Sequence, residues 1–241
     1  VPSILLIPLL LRSLPQQPPA PVNPLSGQEK FLAVVFSLGS GYLFSYVTLA
    51  LIHVLEGFVG QSSGNAVSAM ESALPPVTAI LTFVVVAPIA EEFIFRRLLL
   101  DRVRIFGDGA AILIGGAAFG LFHGNLNQTL YAFVLGAVFS AIVLLTNRLR
   151  YTIGIHMLIN GISVLTSLVE SDLLDYLLAC VILFSICFSV VLFFVRRKHY
   201  TLEPGPLPFS RAEKAHACFT SPWVWILLVG GLAYSGVSIF L

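Results

Sequence analysis

The sequence predicts an all-α protein, a polytopic transmembrane helix bundle of about eight membrane segments. Of the 241 residues, 57% are hydrophobic and only 10% are charged, whereas a soluble domain carries about 25% charged residues. The chain therefore lacks the polar surface that water requires. Its apolar residues also form long uncharged runs, and about twenty such residues in a helix cross a hydrocarbon core of ~30 Å. We expect a single transmembrane domain over residues 1–241, in contact with the lipid bilayer.

The apolar segments are separated by short polar stretches along the whole chain. Residues 3–11 are too short for a full span and favour the end of a truncated first span, because no small-residue cleavage site of a signal peptide follows. A proline-rich linker is predicted over 12–30, since proline disrupts helices. Spans are then expected at 31–55, 77–90, 110–123, 130–145, 152–168, 177–195 and 223–241, with polar loops at 57–72, 124–128, 170–175 and 199–221.

The basic residues indicate how the segments are oriented. If each segment crosses the membrane once, all thirteen Lys and Arg residues fall on one side, and the charged residues on the opposite side are all acidic. The positive-inside rule places the basic side in the cytoplasm. The net charge of +1 gives no basic surface for nucleic acid.

Other polar or reactive residues in the apolar runs have structural explanations. His53 lies near the end of its span with no polar partner at helical spacing, which favours an interfacial histidine. Cys180 and Cys187 lie seven residues apart in an apolar run. They are expected to behave as small hydrophobic residues rather than as a disulfide or a metal site.

Three ionisable residues at the end of an uncharged run are the central feature of the chain. Glu91, Glu92 and Arg96 follow residues 77–90, which carry no charge, and a charge inside the bilayer costs roughly 2.5–3.5 kcal/mol on insertion scales. Glu92 and Arg96 are separated by one helical turn, so they are expected to pair. Glu91 lies about 100° around the helix axis from Glu92. It is expected to point elsewhere, unpaired with Arg96 and available as an acid or base.

Two further polar pairs occur at the same spacing on other apolar segments, Phe119/His123 and His156/Asn160. Counting residues from the segment ends puts Glu91 and His156 about 9 Å into the membrane but His123 about 21 Å along its helix. A common site therefore requires broken or steeply tilted helices. The predicted positions of the breaks are Pro88 and the pair Gly115-Gly116.

Such a set of residues suits hydrolysis of an amide by activated water. A carboxylate and a histidine can deprotonate water, and a second histidine with an asparagine amide can stabilise an oxyanion. The sequence has no Gly-x-Ser-x-Gly elbow and no phosphate-binding glycine loop. The alternative is a Zn²⁺ site with Glu91, His123 and His156 as ligands. His-Glu-x-x-His is absent and each ligand comes from a different segment, so no metal or other cofactor is favoured.

The three motifs resemble those of the CPBP family, also called ABI, which comprises CAAX prenyl-protein endopeptidases, bacteriocin-processing proteins and self-immunity proteins. The similarity covers roughly residues 75–170 and rests on Glu-Glu-x-x-x-Arg at 91–96, Phe-x-x-x-His at 119–123 and His-x-x-x-Asn at 156–160. Pro88 and Phe95 also fit the pattern. The resemblance implies an eight-helix intramembrane endopeptidase.

The resemblance also implies roles for the motif residues. Glu91 and His123 would activate water, His156 and Asn160 would bind the oxyanion, and Glu92 and Arg96 would support the site. The substrate would be a membrane-anchored protein or peptide, of prenylated CAAX type or similar to a signal peptide or bacteriocin. The short loops favour a prokaryotic cell membrane as the location.

The alternative from a different class is a non-catalytic membrane scaffold or bacteriocin self-immunity protein. In such a protein the same polar side chains would hold helices together by interhelical hydrogen bonds. Glu91 distinguishes the two hypotheses, because a scaffold has a use for the Glu92–Arg96 pair but none for a second, unpaired carboxylate.

Overall fold

The fold is built from helices throughout the part of the chain that is described. A computed structural model describes residues 22–59, 74–196, 198 and 200–237, and within them no strand occurs. The helices are α1 (Gly27–Val59), α2 (Pro76–Phe106), α3 (Asp108–Phe122), α4 (Leu126–Thr146), α5 (Leu149–Leu168), α6 (Asp172–Arg196), α7 (Arg211–Thr220) and α8 (Pro222–Val237).

In the part of the chain that the structure describes, five helices are long and apolar enough to cross a membrane: α1, α2, α4, α5 and α6. α3 is apolar but has only 15 residues, and α8 contains a shorter apolar stretch. The prediction of an all-α transmembrane bundle is therefore confirmed. The count of about eight crossings and the cytoplasmic side stay predictions, and the apolar segment 3–11 lies outside the described residues.

Several boundaries differ from those expected from the sequence. α1 begins at Gly27, inside the stretch predicted as a linker. His53, expected to have no polar partner, lies 4.0 Å from Glu56 one turn later. The segment 199–221, expected to be a polar loop, contains α7. α7 begins with a capping box in which the side chains of Ser210 and Glu213 each accept a hydrogen bond from the other residue's backbone N–H.

α3 and α4 pack closely through glycine. A Cβ atom at Gly116 would lie 2.8 Å from the carbonyl oxygen of Phe133, and one at Gly120 would lie 2.6 Å from that of Thr129. No side chain fits at these distances, so the two backbones touch, as small residues allow at helix–helix contacts. The contact brings the end of α3, where His123 follows, against α4.

α2 is continuous where a break was predicted. Pro88 lies in its interior, but the helix turns on both sides of residues 87–92 are wider than α-helical turns. The N–H of Ala87 bonds the carbonyl of Thr82, and the N–H of Leu100 bonds that of Phe95, each five residues back. Such π turns accommodate a residue that does not fit the α-helical ladder. α3 likewise runs unbroken through Gly115 and Gly116, so the predicted breaks are wrong at both places.

The segment before α7 is bound to the junction of α2 and α3. The N–H of Asp108 bonds the carbonyl of Glu203, while the N–H of Glu203 bonds the Asp108 carboxylate. Lys214 on α7 donates to the carbonyl of Phe106 at 2.6 Å. These bonds satisfy backbone groups at the end of α2 and fix the end of the helix that carries the glutamates.

Candidate active site

The motif residues meet where α2, α3, α4 and α5 come together. α2 supplies Glu91, Glu92 and Arg96, and α5 supplies His156 and Asn160. His123 follows directly after α3.

The predicted pair of Glu92 and Arg96 is present and completely enclosed. The Arg96 Nε lies 3.4 Å from a Glu92 carboxylate oxygen, and both side chains have no exposed surface. Two full charges are stable in such a place only if each compensates the other. The prediction that these two residues pair is confirmed.

Three aromatic rings lie close to the Arg96 guanidinium. Its central carbon lies 4.4 Å from the ring centre of Phe119, 5.5 Å from that of Phe139 and 5.8 Å from that of Phe95. The electron-rich ring faces attract a cation, which compensates part of the lost hydration. One guanidinium nitrogen also donates to the carbonyl of Gly136 at 3.4 Å. Arg96 therefore joins α2, α3 and α4.

His156 lies between the two glutamates. Its Nδ1 is 3.2 Å from a Glu92 oxygen and its Nε2 is 3.8 Å from a Glu91 oxygen. The expectation that Glu91 points away from its neighbour is therefore wrong in part. Although Glu91 is not ion-paired with Arg96 in this arrangement, both glutamates reach the same imidazole, because α5 packs across their side of α2.

The two contacts of His156 differ in strength. The distance to Glu92 is within hydrogen-bond range, while 3.8 Å to Glu91 is too long for a direct hydrogen bond. A neutral imidazole has one N–H donor and an imidazolium has two. The group of Glu91, Glu92, Arg96 and His156 is electrically neutral overall when His156 is charged and both carboxylates are ionised. It is equally neutral when one proton passes from His156 to Glu91.

Exposure separates the two glutamates. Glu92 is fully buried, whereas 19% of the Glu91 side chain is exposed. Glu91 is thus the carboxylate of this group that a water molecule or a substrate can reach.

His123 is connected to the cluster through Phe119 rather than through Glu91. Its Nδ1 lies 2.7 Å from the carbonyl oxygen of Phe119, which makes Nδ1 the donor and leaves Nε2 as the acceptor of a neutral ring. The Phe119 ring stacks edge-on against both histidines, with centroid distances of 4.9 Å to His123 and 5.7 Å to His156. The histidine in contact with Glu91 is His156.

Asn160 lies one turn beyond His156, and its amide is already engaged. Its Nδ2 donates to the carbonyl oxygen of Phe83 on α2 at 2.9 Å. The amide has a second N–H that this bond does not use. A role for Asn160 at an oxyanion stays a prediction.

Sequence reasoning missed two residues of the cluster. Phe139 on α4 is fully buried and its ring lies 5.7 Å from that of His156; one phenylalanine among 19 gives no signal in the sequence. Thr152 on α5 is also fully buried and its side chain approaches the Glu92 carboxylate. A signal for Thr152 exists, because residues 152, 156 and 160 follow at intervals of four and share one helix face.

The alternative zinc site does not fit the arrangement of donors. Within the described parts of the chain, no three His, Cys, Asp or Glu side chains are placed to hold one metal ion. The two nitrogens of His156 face different carboxylates, and Glu92 is paired with Arg96. Zn²⁺ needs three or four ligand atoms at about 2.0–2.3 Å around one point.

Comparison with known proteins agrees with the motifs. The family described as type II CAAX prenyl endopeptidase Rce1-like matches residues 73–162. The predicted resemblance to the family is confirmed over these residues. The match includes all seven residues that the three motifs name, and at the general level it supports a protease embedded in the membrane. No curated protein and no solved structure is significantly similar to the chain.

Proposed function

We propose that this Rce1-like protein is an intramembrane endopeptidase in which Glu91 activates the water that hydrolyses a peptide bond. The observation that carries the proposal is the contrast between two adjacent glutamates. Glu92 is sealed in an ion pair with Arg96, whereas Glu91 is partly exposed beside His156. A carboxylate that acts as a general base must be accessible to water and must not be engaged in an ion pair.

The proposed reaction needs no covalent intermediate. Glu91 takes a proton from water as the water oxygen bonds to the carbonyl carbon of the substrate. The carbonyl oxygen becomes an oxyanion, which accepts hydrogen bonds from His156 and from the second N–H of Asn160. When the carbon–nitrogen bond breaks, the proton on Glu91 passes to the leaving amine. His123 orients the water, with its neutral ring held by Phe119.

The surrounding charges support this sequence of steps. The hydrogen bond that the His156 Nδ1–H donates to the Glu92 carboxylate holds the imidazole ring in place. Arg96 lies close to the rings of Phe119 and Phe139 and compensates the charge of the Glu92 carboxylate at 3.4 Å. The proton gained by Glu91 from water therefore changes the charge at one residue only, in a site whose other charges are already paired.

For the substrate we infer a membrane-anchored protein or peptide. The family is named for CAAX prenyl endopeptidases, so a prenylated CAAX-type peptide is the first candidate, and signal-like or bacteriocin-like peptides are the next. The short loops between the helices favour a prokaryotic cell membrane as the location of the protein.

The test is cleavage by the purified protein in detergent of one CAAX-type peptide with and without a farnesyl group. We expect faster cleavage of the farnesylated peptide, product masses that show a single hydrolysed bond, and no loss of activity after exhaustive chelation. Inhibition by phenanthroline that added Zn²⁺ reverses would instead show a metalloprotease. Failure to cleave these peptides and membrane-anchored candidates would favour the scaffold or self-immunity hypothesis.

A further inference from the structure

The π turn ahead of Pro88 and the missing N–H of Pro88 together leave one backbone carbonyl of α2 without a backbone donor. In an α-helix the carbonyl of Phe83 would accept from the N–H of Ala87, but that N–H bonds Thr82 instead. In a π turn the donor would be the N–H of residue 88, and proline has none. Both backbone donors that could reach the Phe83 carbonyl are therefore unavailable.

The amide of Asn160 occupies this position. Its Nδ2 donates to the Phe83 oxygen at 2.9 Å across the contact between α2 and α5. Because a carbonyl oxygen can only accept, the nitrogen and not the oxygen of the amide must face it. The bond therefore determines which way the amide is turned. An unpaired carbonyl inside a membrane protein is destabilising, so the bond from Asn160 stabilises the contact between the two helices.

On α5 the bond lies one helical turn from a reacting group, since Asn160 follows His156 by four residues. On α2 the Phe83 carbonyl precedes Glu91 by eight residues, and Pro88 lies between them. A fixed amide orientation holds the second N–H of Asn160 in a constant direction relative to His156.

We propose that Pro88 is a positioning residue: by removing a backbone N–H it exposes the Phe83 carbonyl, which holds the Asn160 amide in the orientation needed for catalysis. This inference rests on the proposed function for its catalytic part only. The hydrogen bond itself can be measured without a substrate.

The deciding variant is Pro88→Ala, which supplies the missing N–H at residue 88. That N–H competes with Asn160 for the Phe83 carbonyl. We expect kcat to fall about 10-fold with KM changed less than about 2-fold, because the variant disturbs an orientation used in the transition state and not substrate binding. The midpoint of thermal unfolding should stay the same or rise, since an interior proline is replaced by a good helix former. Pro76→Ala is the matched control: Pro76 is in the first turn of α2, where a missing N–H costs nothing, so all three quantities should equal those of the wild type.

The second readout is the side-chain amide of Asn160 in protein labelled with ¹⁵N-asparagine, its NMR signal assigned by its loss in Asn160→Asp. In the wild type one amide proton should exchange slowly with solvent, and in Pro88→Ala both should exchange at similar rates. Unchanged Asn160 signals in Pro88→Ala would overturn the proposal. Changed signals with an unchanged kcat would also overturn it, because the bond would then have no catalytic consequence. A wild type that cleaves no peptide would refute the proposed function and with it the catalytic part, while the amide exchange would still decide whether Pro88 controls the bond.

Discussion

Replacing Glu92 by Gln should destabilise the protein strongly, because it removes half of a buried ion pair. At the observed 3.4 Å, two unit charges attract each other by roughly 5 kcal/mol at an effective dielectric constant of about 20. Breaking a buried pair by removing one partner typically costs about 3–5 kcal/mol. In Glu92→Gln, Arg96 keeps its aromatic neighbours and its bond to the Gly136 carbonyl. We therefore expect a loss of stability at the lower end of this range, about 3 kcal/mol. For a chain of this size that corresponds to a fall of about 6–12 °C in the unfolding midpoint.

The same helix provides the control. Arg97 and Asp101 form an ion pair of nearly equal length, 3.5 Å, at the same i, i+4 spacing, but their side chains are 42% and 23% exposed. Such pairs contribute about 1 kcal/mol or less, so Asp101→Asn should shift the midpoint by only a few degrees. Thermal unfolding of both variants in one detergent, followed by fluorescence or circular dichroism, makes the comparison. If Glu92→Gln unfolds within about 2 °C of Asp101→Asn, burial does not strengthen the Glu92–Arg96 pair and the reasoning is refuted.

Two further predictions concern packing and topology. Gly120→Ala should lower stability by about 1–3 kcal/mol, because the new Cβ would lie 2.6 Å from the Thr129 carbonyl oxygen. Gly154→Ala is the control and should be neutral or slightly stabilising, because a Cβ there meets nothing within 4 Å. Equal unfolding midpoints of the two variants would contradict the close contact of α3 and α4. The topology with the basic loops in the cytoplasm is tested by cysteine labelling in a chain without native cysteines. Glu170→Cys should react with a membrane-impermeant thiol reagent added outside intact cells, and Pro208→Cys should not. The reverse result would show the opposite orientation.

Much of the site was predictable because its chemistry is carried by side chains at helical spacing. The pairing of Glu92 with Arg96 follows from four residues of separation in an uncharged run, since a buried charge needs a partner within one turn. The convergence of α2 and α5 could be anticipated for the same reason, because His156 is also a polar residue in an apolar helix.

The features that the sequence did not predict depend on backbone geometry and on contacts between helices. The π turns around Pro88 change which N–H bonds which carbonyl, and no residue type specifies such a shift. The partner of Asn160 is a backbone carbonyl, which every residue possesses, so nothing in the identity of Phe83 indicates the bond. The position of Glu91 beside His156 depends on the packing of α5 against α2. By contrast, α7 could have been found from Ser210 and Glu213, which have the spacing of a capping box.

The most direct test of the account is the rate of peptide cleavage by Glu91→Gln, measured with its unfolding midpoint. The substitution keeps the volume of the side chain but removes the base, so we expect kcat/KM to fall by about 10²-fold or more while the midpoint stays equal or rises. Glu170→Gln, a change of an exposed glutamate in the loop between α5 and α6, should leave both quantities unchanged. A Glu91→Gln protein that cleaves at the wild-type rate, or that loses its folded state, would contradict the assignment of Glu91 as the general base.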